Sequence, residues 1–313
     1  MSAAWPSLRD EVDIADALYG RRGRTLLEEW LARQVARTHD LAFAREFSDH
    51  VDLPGVRTTD YLHRHIVTSA GTLLGGIRFY GRDITRPFVE IIAHSFDDLN
   101  RMRVCVSQEW AMFAPLCLRV RTAPGRLGGA GVVLDESVYV AAYREMTSPS
   151  PNVWLAPFGS AETAMAIVAD RYRQLDSALA QNISAATAAE LDDWHTQDQL
   201  RAIRTTEGIV GLLAVVPGVI DWIDGDVINE EVVTVEHGGY GYAAAGQAAW
   251  AAEPGRDPDV LLIGTIDRLN LASRKTAAAA GRRRVLDAYF VSLPQPPYAG
   301  PEGSDRCAET RVT

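Results

Sequence analysis

Two consecutive carboxylates, Glu230 and Glu231, open a stretch that reads EEVVTVEHGGYGYAAAGQAAW and ends at Trp250. The β-branched run predicts a strand, and neighbours on a strand point to opposite faces. Only one of the pair can therefore face a given substrate. That carboxylate can accept a proton directly or through water, and the competing reading is an ion pair with an arginine. Glu231 is preferred, with Glu230 in reserve, because Glu231 alternates in step with Val233 and Val235. Three glycines follow, Gly238, Gly239 and Gly241, where the strand hands over to an alanine-rich helix. Such a helix start aims backbone N–H groups at one spot, and glycine lets an anion approach without meeting a Cβ. The turn is thus a candidate phosphate cradle; the alternative is a tight turn that packs a small-residue helix on a sheet. It lacks the full G-x-G-x-x-G spacing of a dinucleotide site.

Fewer reactive groups surround this stretch. His237 sits in the turn, where it either approaches the anion or caps the backbone. Tyr240 and Tyr242 flank Gly241 and pack there or shield a groove. His195, in LDDWHTQDQ, lies on a predicted helix. Arg78, Arg82 and Arg86 recur at four-residue intervals, which offers an anion site as one reading, but Asp83 lies among them on a strand and turn, and surface pairs are the preferred one. Cys105, Cys117 and Cys307 form neither a disulfide framework nor a zinc spacing, so no metal is expected and a reducing, cytoplasmic setting is. The net charge of −10 repels phosphate backbones and argues against nucleic-acid binding. No run of eighteen apolar residues predicts a membrane span, and the start MSAAWPSLRDEVD lacks the pattern of a secretory signal.

The length of 313 residues predicts two domains. Leu26, Leu27, Trp30, Leu31 and Val35 fall on one helical stripe. DLPGV breaks it. Residues 65–81 read as two strands about a turn and 86–96 as another strand. A helix follows with Asp97 or Asp98 at its N-cap, then LCLRVRT and VVLDESVYVAAYREM as strands. TSPSPNVW (147–154) is the linker, which puts the domains at 1–148 and 152–293. The second half reads as helices over 161–179 and 188–204, a strand over 207–218, VIDWID as a short neighbour and a strand over 227–235. After the glycine turn and its helix come a strand over 259–267, a helix from Asn270 to Gly281, and a last strand over 285–293. The proline- and glycine-rich tail, 294–313, is expected to be disordered. The halves echo each other: Glu90 to Trp110 and Glu230 to Trp250 both span twenty positions (110−90 and 250−230).

This order of elements over residues 152–293 resembles the GNAT superfamily of acyl-CoA-dependent N-acetyltransferases. The family turn, Arg/Gln-x-x-Gly-x-Gly/Ala, matches Gly238-Gly239-Tyr240-Gly241-Tyr242-Ala243 at Gly241 and Ala243, with Gly238 in the arginine or glutamine position. The resemblance implies that the backbone of Gly238 to Ala243 holds the pyrophosphate of acetyl-CoA, the cosubstrate. It also implies that Val233 and Val235 pair with the pantetheine arm. Asn270 and Gly281 match the asparagine-to-glycine stretch of the next helix, where Ser273 is a candidate donor to the pantetheine or thiolate. The family's tyrosine acid, seven positions after that asparagine, is Ala277 here.

The implied fold is α/β with a mixed sheet, in two GNAT-like domains. The carboxy-terminal one would carry the acyl-CoA site, and the amino-terminal one would be degenerate because AHSFDDLN lacks the glycines. The implied reaction moves an acetyl group to the amine of a small molecule, with Glu231 or Glu230 taking the proton. A non-catalytic acyl-CoA sensor and an acyltransferase with another donor are the alternatives. A second copy of the chain is a candidate partner.

Overall fold

The computed structural model describes residues 5–51 and 53–294. The tail expected to be disordered lies, from residue 295 onward, outside them. The chain forms two compact units, one of residues up to Asp135 together with Leu286 onward, the other Glu136–Val285.

The first unit begins with helices α1 (Arg9–Tyr19), α2 (Arg21–Ala36) and α3 (Leu41–Ser48). Leu27, Trp30 and Leu31 are buried along α2 as their spacing requires, but Val35 is 45% exposed and Gln34 takes the inward place. The Gln34 carbonyl lies 3.0 Å from His63 Nδ1, a polar contact that a hydrophobic pattern does not encode. Strands β1 (Arg64–Thr68), β2 (Gly71–Phe79) and β3 (Pro87–His94) form an antiparallel meander. Helix α4 (Leu99–Glu109) then carries the chain to β4 (Cys117–Thr122), parallel to β3. Leu73, Ile77, Val89, Val106, Trp110 and Leu118 fill the core.

The next elements are β5 (Val132–Ala142), β6 (Trp154–Pro157), α5 (Ala161–Arg173), α6 (Ser177–Ala180), α7 (Ala188–Thr196) and β7 (Leu200–Thr205). After them come β8 (Gly208–Ile220), β9 (Ile223–Val233), α8 (Tyr242–Ala251), β10 (Leu261–Asp267), α9 (Leu271–Ala279) and β11 (Arg283–Ser292). In the second unit β6, β7, β8 and β9 pair antiparallel in sequence order, and β10 lies parallel to β9. One hydrophobic cluster, with Val168, Leu191, Trp194 and Leu212, packs α5 and α7 on the sheet. Another, with Ile203, Leu213, Val215 and Trp250, packs α8 on it. Gly246 lets α8 approach closely, since a Cβ there would come 3.0 Å from the Ile203 side chain. No helix of the described residues is long and apolar enough to cross a membrane.

The division differs from the one the linker suggests. β11, last in sequence, pairs antiparallel with β4 over Asp287–Ser292 and closes the sheet of the first unit. β5 pairs antiparallel with β10 from Glu136 to Ala142 and closes the sheet of the second. Sheet edges are satisfied by hydrogen bonding and not by chain order. A boundary at 148–152 would strip both sheets of a strand.

Three further expectations change. The helix expected over 188–204 ends at Thr196, and residues 200–205 are strand β7. Asp198 turns the chain at φ 60°, and Leu200, Ala202, Ile203 and Thr205 are all buried, which a strand covered on both faces achieves. The helix expected over 161–179 stops at Arg173, and α6 starts anew with the Asp176 carboxylate accepting from the Ala178 N–H. VIDWID is a hairpin corner, with Ile220 and Ile223 paired around Asp221 at φ 58°.

Candidate functional site

The parallel pair β9–β10 is short. Only Asp226–Leu262 and Val227–Ile263 are in register, after which β9 runs on to Val233 against β8 and β10 runs on to Asp267 against β5. The two strands fork beyond Val227 and Ile263. A bulge opposite Ala214 and Val215 places Asn229 as an extra residue in β9 just past the fork, and bulges raise local twist. Backbone that faces the gap is open to an extended ligand strand.

β9 leads directly to the glycine turn. It ends at Val233, and Val235 does not continue it but opens a 3-10 turn, Val235–His237, where it is 50% exposed. Thr234 Oγ1 lies 2.7 Å from His237 Nδ1, and the Gly238 N–H donates to the Val235 carbonyl, so this turn is pinned locally. Gly239 and Gly241 adopt φ 85° and 79°, conformations that favour glycine, and a Cβ on either would meet nothing within 4 Å. Gly241 is the N-cap of α8 and supplies no side-chain cap. The first N–H groups of α8 thus receive no side-chain acceptor from the N-cap and lie at the positive end of the helix dipole. These residues fit a pyrophosphate: donors are available, and no Cβ stands in front of them. Tyr240, 72% exposed, stacks on Tyr242 with centroids 5.8 Å apart, forming one wall beside the turn.

The first unit treats the equivalent place differently. β3 and β4 also part, after Glu90 and Arg119, but α4 is capped by Asp98, whose carboxylate accepts from the Asn100 N–H at 2.8 Å. A cavity of about 480 Å³ at that fork is lined by His94, Phe96, Met102 and Arg121. The amino-terminal segment reaches into it. Ser7 Oγ accepts from the His94 N–H (2.8 Å), and the Asp10 carboxylate accepts from Thr122 Oγ1 (3.3 Å) and the Ala123 N–H (3.4 Å). Glu90 is tied in an ion pair with Arg119, which also pairs with Asp135.

Glu230 and Glu231 point to opposite faces of the second unit. Glu230, 5% exposed, accepts from the Ala186 N–H (2.9 Å) and the Tyr172 hydroxyl (3.2 Å) on the α5–α7 side. No cation contacts it among the described residues, in contrast to Glu90. Burial raises its carboxyl above the usual range, against the pull of the Ala186 N–H and the Tyr172 hydroxyl. Burial and the nearby Glu230 charge in turn push the Tyr172 hydroxyl up. Glu231 lies on the α8 side, where Gln247 Nε2 donates to its Oε1 at 2.7 Å. The other end of that amide accepts from Arg282 Nε at 2.9 Å. Burial raises Glu231 as well, opposed by the Arg282 charge and the Gln247 hydrogen bond.

The remaining candidates scatter. Asn270 caps α9 by accepting from the Ser273 N–H (3.1 Å), and Ser273 is half-buried. Ala277 is fully buried against Tyr139 and Ile266. His195 Nε2 lies 3.1 Å from the Phe158 carbonyl. Arg78, Arg82 and Arg86 do not converge: Arg78 Nη2 lies 2.6 Å from His63 Nε2, Arg86 stacks on Tyr80, and Arg82 is exposed. Among the described residues no group of three or more His, Cys, Asp or Glu side chains could hold a metal ion. Sequence reasoning does not single out Tyr172, Gln247 or Arg282.

No family model matches the chain, and no curated protein matches it in sequence. Among solved structures it is similar to an acetyltransferase of the GNAT family from Colwellia psychrerythraea, at 13% identity over 81% of this chain and 94% of that one, with a TM-score of 0.47. A GCN5-related N-acetyltransferase from Sphaerobacter thermophilus matches at 13% identity over 84% and 92%, TM-score 0.44. A tandem GNAT protein from the clavulanic acid biosynthesis pathway matches at 12% identity over 83% and 97%, TM-score 0.36. At such scores the function has to come from this chain's own geometry.

Proposed function

We propose that the chain is an acyl-CoA-dependent N-acyltransferase of the GNAT type, with acetyl-CoA as donor and a small-molecule amine as acceptor. One observation carries the reading: the β9–β10 fork ends at an uncapped, glycine-led helix start, so an extended gap and an anion cradle lie in line. The turn Gly238–Ala243 would hold the pyrophosphate through backbone N–H groups. Val233 and the backbone before it would flank the pantetheine, while Val235, outside the strand, would stand at the mouth.

For the proton, Glu230 is the better base, which reverses the order that the alternation gave. It is buried, held by neutral donors and raised in pKa, which suits a group that must take a proton near neutral pH. Glu231 is committed to Gln247 and, through it, to Arg282. Ser273, at the start of α9, remains a candidate donor to the pantetheine. The first unit, with its side-chain-capped helix, its ion-paired glutamate and the amino-terminal segment lining its fork, is assigned as a degenerate copy that takes no donor. Calorimetric titration of the chain with acetyl-CoA, beside a thiol-release assay over a panel of amines, tests the proposal. Saturable binding of one donor per chain with amine-dependent thiol release is expected; no donor binding would refute it. A second reading, a sensor that binds acyl-CoA without turnover, is favoured by one feature, the buried Ala277 where a tyrosine acid would stand. Binding without release over the whole panel would select it.

A further inference from the structure

The second unit holds a buried guanidinium at the fork that neither the cradle nor Glu230 accounts for. Arg282 is 4% exposed. Its Nε donates to Gln247 Oε1, and Gln247 in turn holds Glu231. Its Nη1 is buried and has no hydrogen-bond partner among the described residues. A charged N–H group left in that state is costly unless an acceptor arrives.

Gly264 fixes where this nitrogen lies. A Cβ on Gly264 would come 2.9 Å from Arg282 Nη1 and 3.8 Å from the Ile228 Cβ. Val227 and Ile263 are the last residues of β9 and β10 in register, so Ile228 and Gly264 are the first beyond the fork. Nη1 therefore sits over the point where the strands part, in space that any side chain at 264 would crowd. From Ile228 to the end of β9 at Val233 is five residues, about 17 Å of extended strand. An extended pantetheine arm bridges such a separation, which puts a thioester near the fork when the pyrophosphate is on the glycine turn.

We infer that Arg282 Nη1 is the hydrogen-bond donor to the acyl carbonyl oxygen of the donor thioester, an inference that rests on the acyltransferase reading above. The amine nitrogen attacks the carbonyl carbon. As the C–N bond forms, the carbonyl π pair moves to oxygen, and the resulting oxyanion lies against the guanidinium. The pair then returns, the C–S bond breaks, and sulfur leaves as a thiolate with the bonding electrons. The amine sheds one proton to Glu230, and Glu230 returns to its carboxylate by passing that proton, through water, to the thiolate, so amine and thioester become amide and thiol. Arg282 keeps its own proton throughout. Gln247 and Glu231 hold the guanidinium in place, which gives the second glutamate a positioning role. A fixed donor aimed at developing oxyanion charge is worth roughly a hundredfold or more in rate.

The test compares wild-type chain, R282Q and G264A, titrated calorimetrically with acetyl-CoA and with CoA. Infrared spectra of bound acetyl-CoA labelled with ¹³C at the carbonyl give a second readout. Wild type should bind acetyl-CoA roughly tenfold tighter than CoA, the effect of one charge-assisted hydrogen bond, and should lower the carbonyl stretching frequency. R282Q should bring the affinity ratio near one and restore the frequency while CoA affinity stays unchanged. G264A keeps the charge but displaces Nη1, so it should move both readouts the same way, and it decides the matter should R282Q fail to fold. A retained ratio and retained frequency shift in folded variants would overturn the role of Arg282 and leave the donor site standing. Failure of wild type to bind either nucleotide would overturn the acyltransferase reading and this inference together.

Discussion

Replacing Gly241 by leucine separates two jobs that a glycine turn can have. At φ 79° a leucine is strained by about 1–2 kcal/mol, yet its Cβ meets nothing within 4 Å in the protein. The fold should therefore survive at that cost. A matched control lies in the same unit: Gly255 sits at φ 88°, also with nothing within 4 Å of a Cβ, in the turn after α8. G255L should lose a similar amount of stability, read from urea unfolding midpoints. If the turn cradles a pyrophosphate, the introduced leucine side chain takes space the phosphate needs and costs at least one charge-assisted hydrogen bond, about 1.5–3 kcal/mol. The calorimetric dissociation constant for CoA should rise at least tenfold in G241L, about 1.4 kcal/mol or more, and stay unchanged in G255L. Unchanged CoA affinity in folded G241L, or an equal loss in G255L, would show that the glycines serve only the turn.

E230Q should lower kcat/KM by roughly a hundredfold at neutral pH, with partial recovery at high pH, where more of the amine is already neutral. Burial raises the folded-state pKa of Glu230, so its contribution to stability is complete below the ordinary value of 4.5 and is lost as pH rises through the folded value. The urea-unfolding free energy of E230Q relative to wild type should thus increase between pH 4 and pH 8; a difference that is flat in pH would contradict the burial argument. Gln247, fully buried, bridges Glu231 and Arg282, so Q247L should destabilise the chain by about 2–3 kcal/mol, and an unchanged urea midpoint would show the bridge to be idle. A fragment of residues 152–293 leaves β10 without β5 and β11 without β4, so it should be insoluble or unfolded. A soluble, cooperatively unfolding fragment would show that the exchanged strands are dispensable.

Periodic and capped elements are legible in the sequence. The α4 N-cap at Asp98, the α9 N-cap at Asn270 and the glycine-led start of α8 all fall where local chemistry puts them. LRAIR reads as helix because its apolar residues satisfy both periods; only burial on two faces decides for β7. The strand exchange is invisible because β5 and β11 are each ordinary strands, and nothing local names the edge a strand will join. At the site, the carboxylates and glycines stand out by type, but their partners do not. Arg282 hides within the run Gly281-Arg282-Arg283-Arg284, where sequence cannot say which guanidinium turns inward. Gln247 leaves a faint trace, an amide in an otherwise alanine-rich helix. The preference for Glu231 assumes that alternation runs on to Val235, but β9 ends at Val233.

Hydrogen exchange of the full chain with and without saturating acetyl-CoA, resolved to short peptides, tests the donor site most directly. Gly241 supplies no side-chain cap to α8, so the first N–H groups of the helix should exchange fast in the free protein. On binding, that segment and residues 228–233 of β9 should be protected together, while the Asp98-capped start of α4 should not change. Tight binding with no protection at the glycine turn, or with protection at α4 instead, would contradict a donor site at the β9–β10 fork.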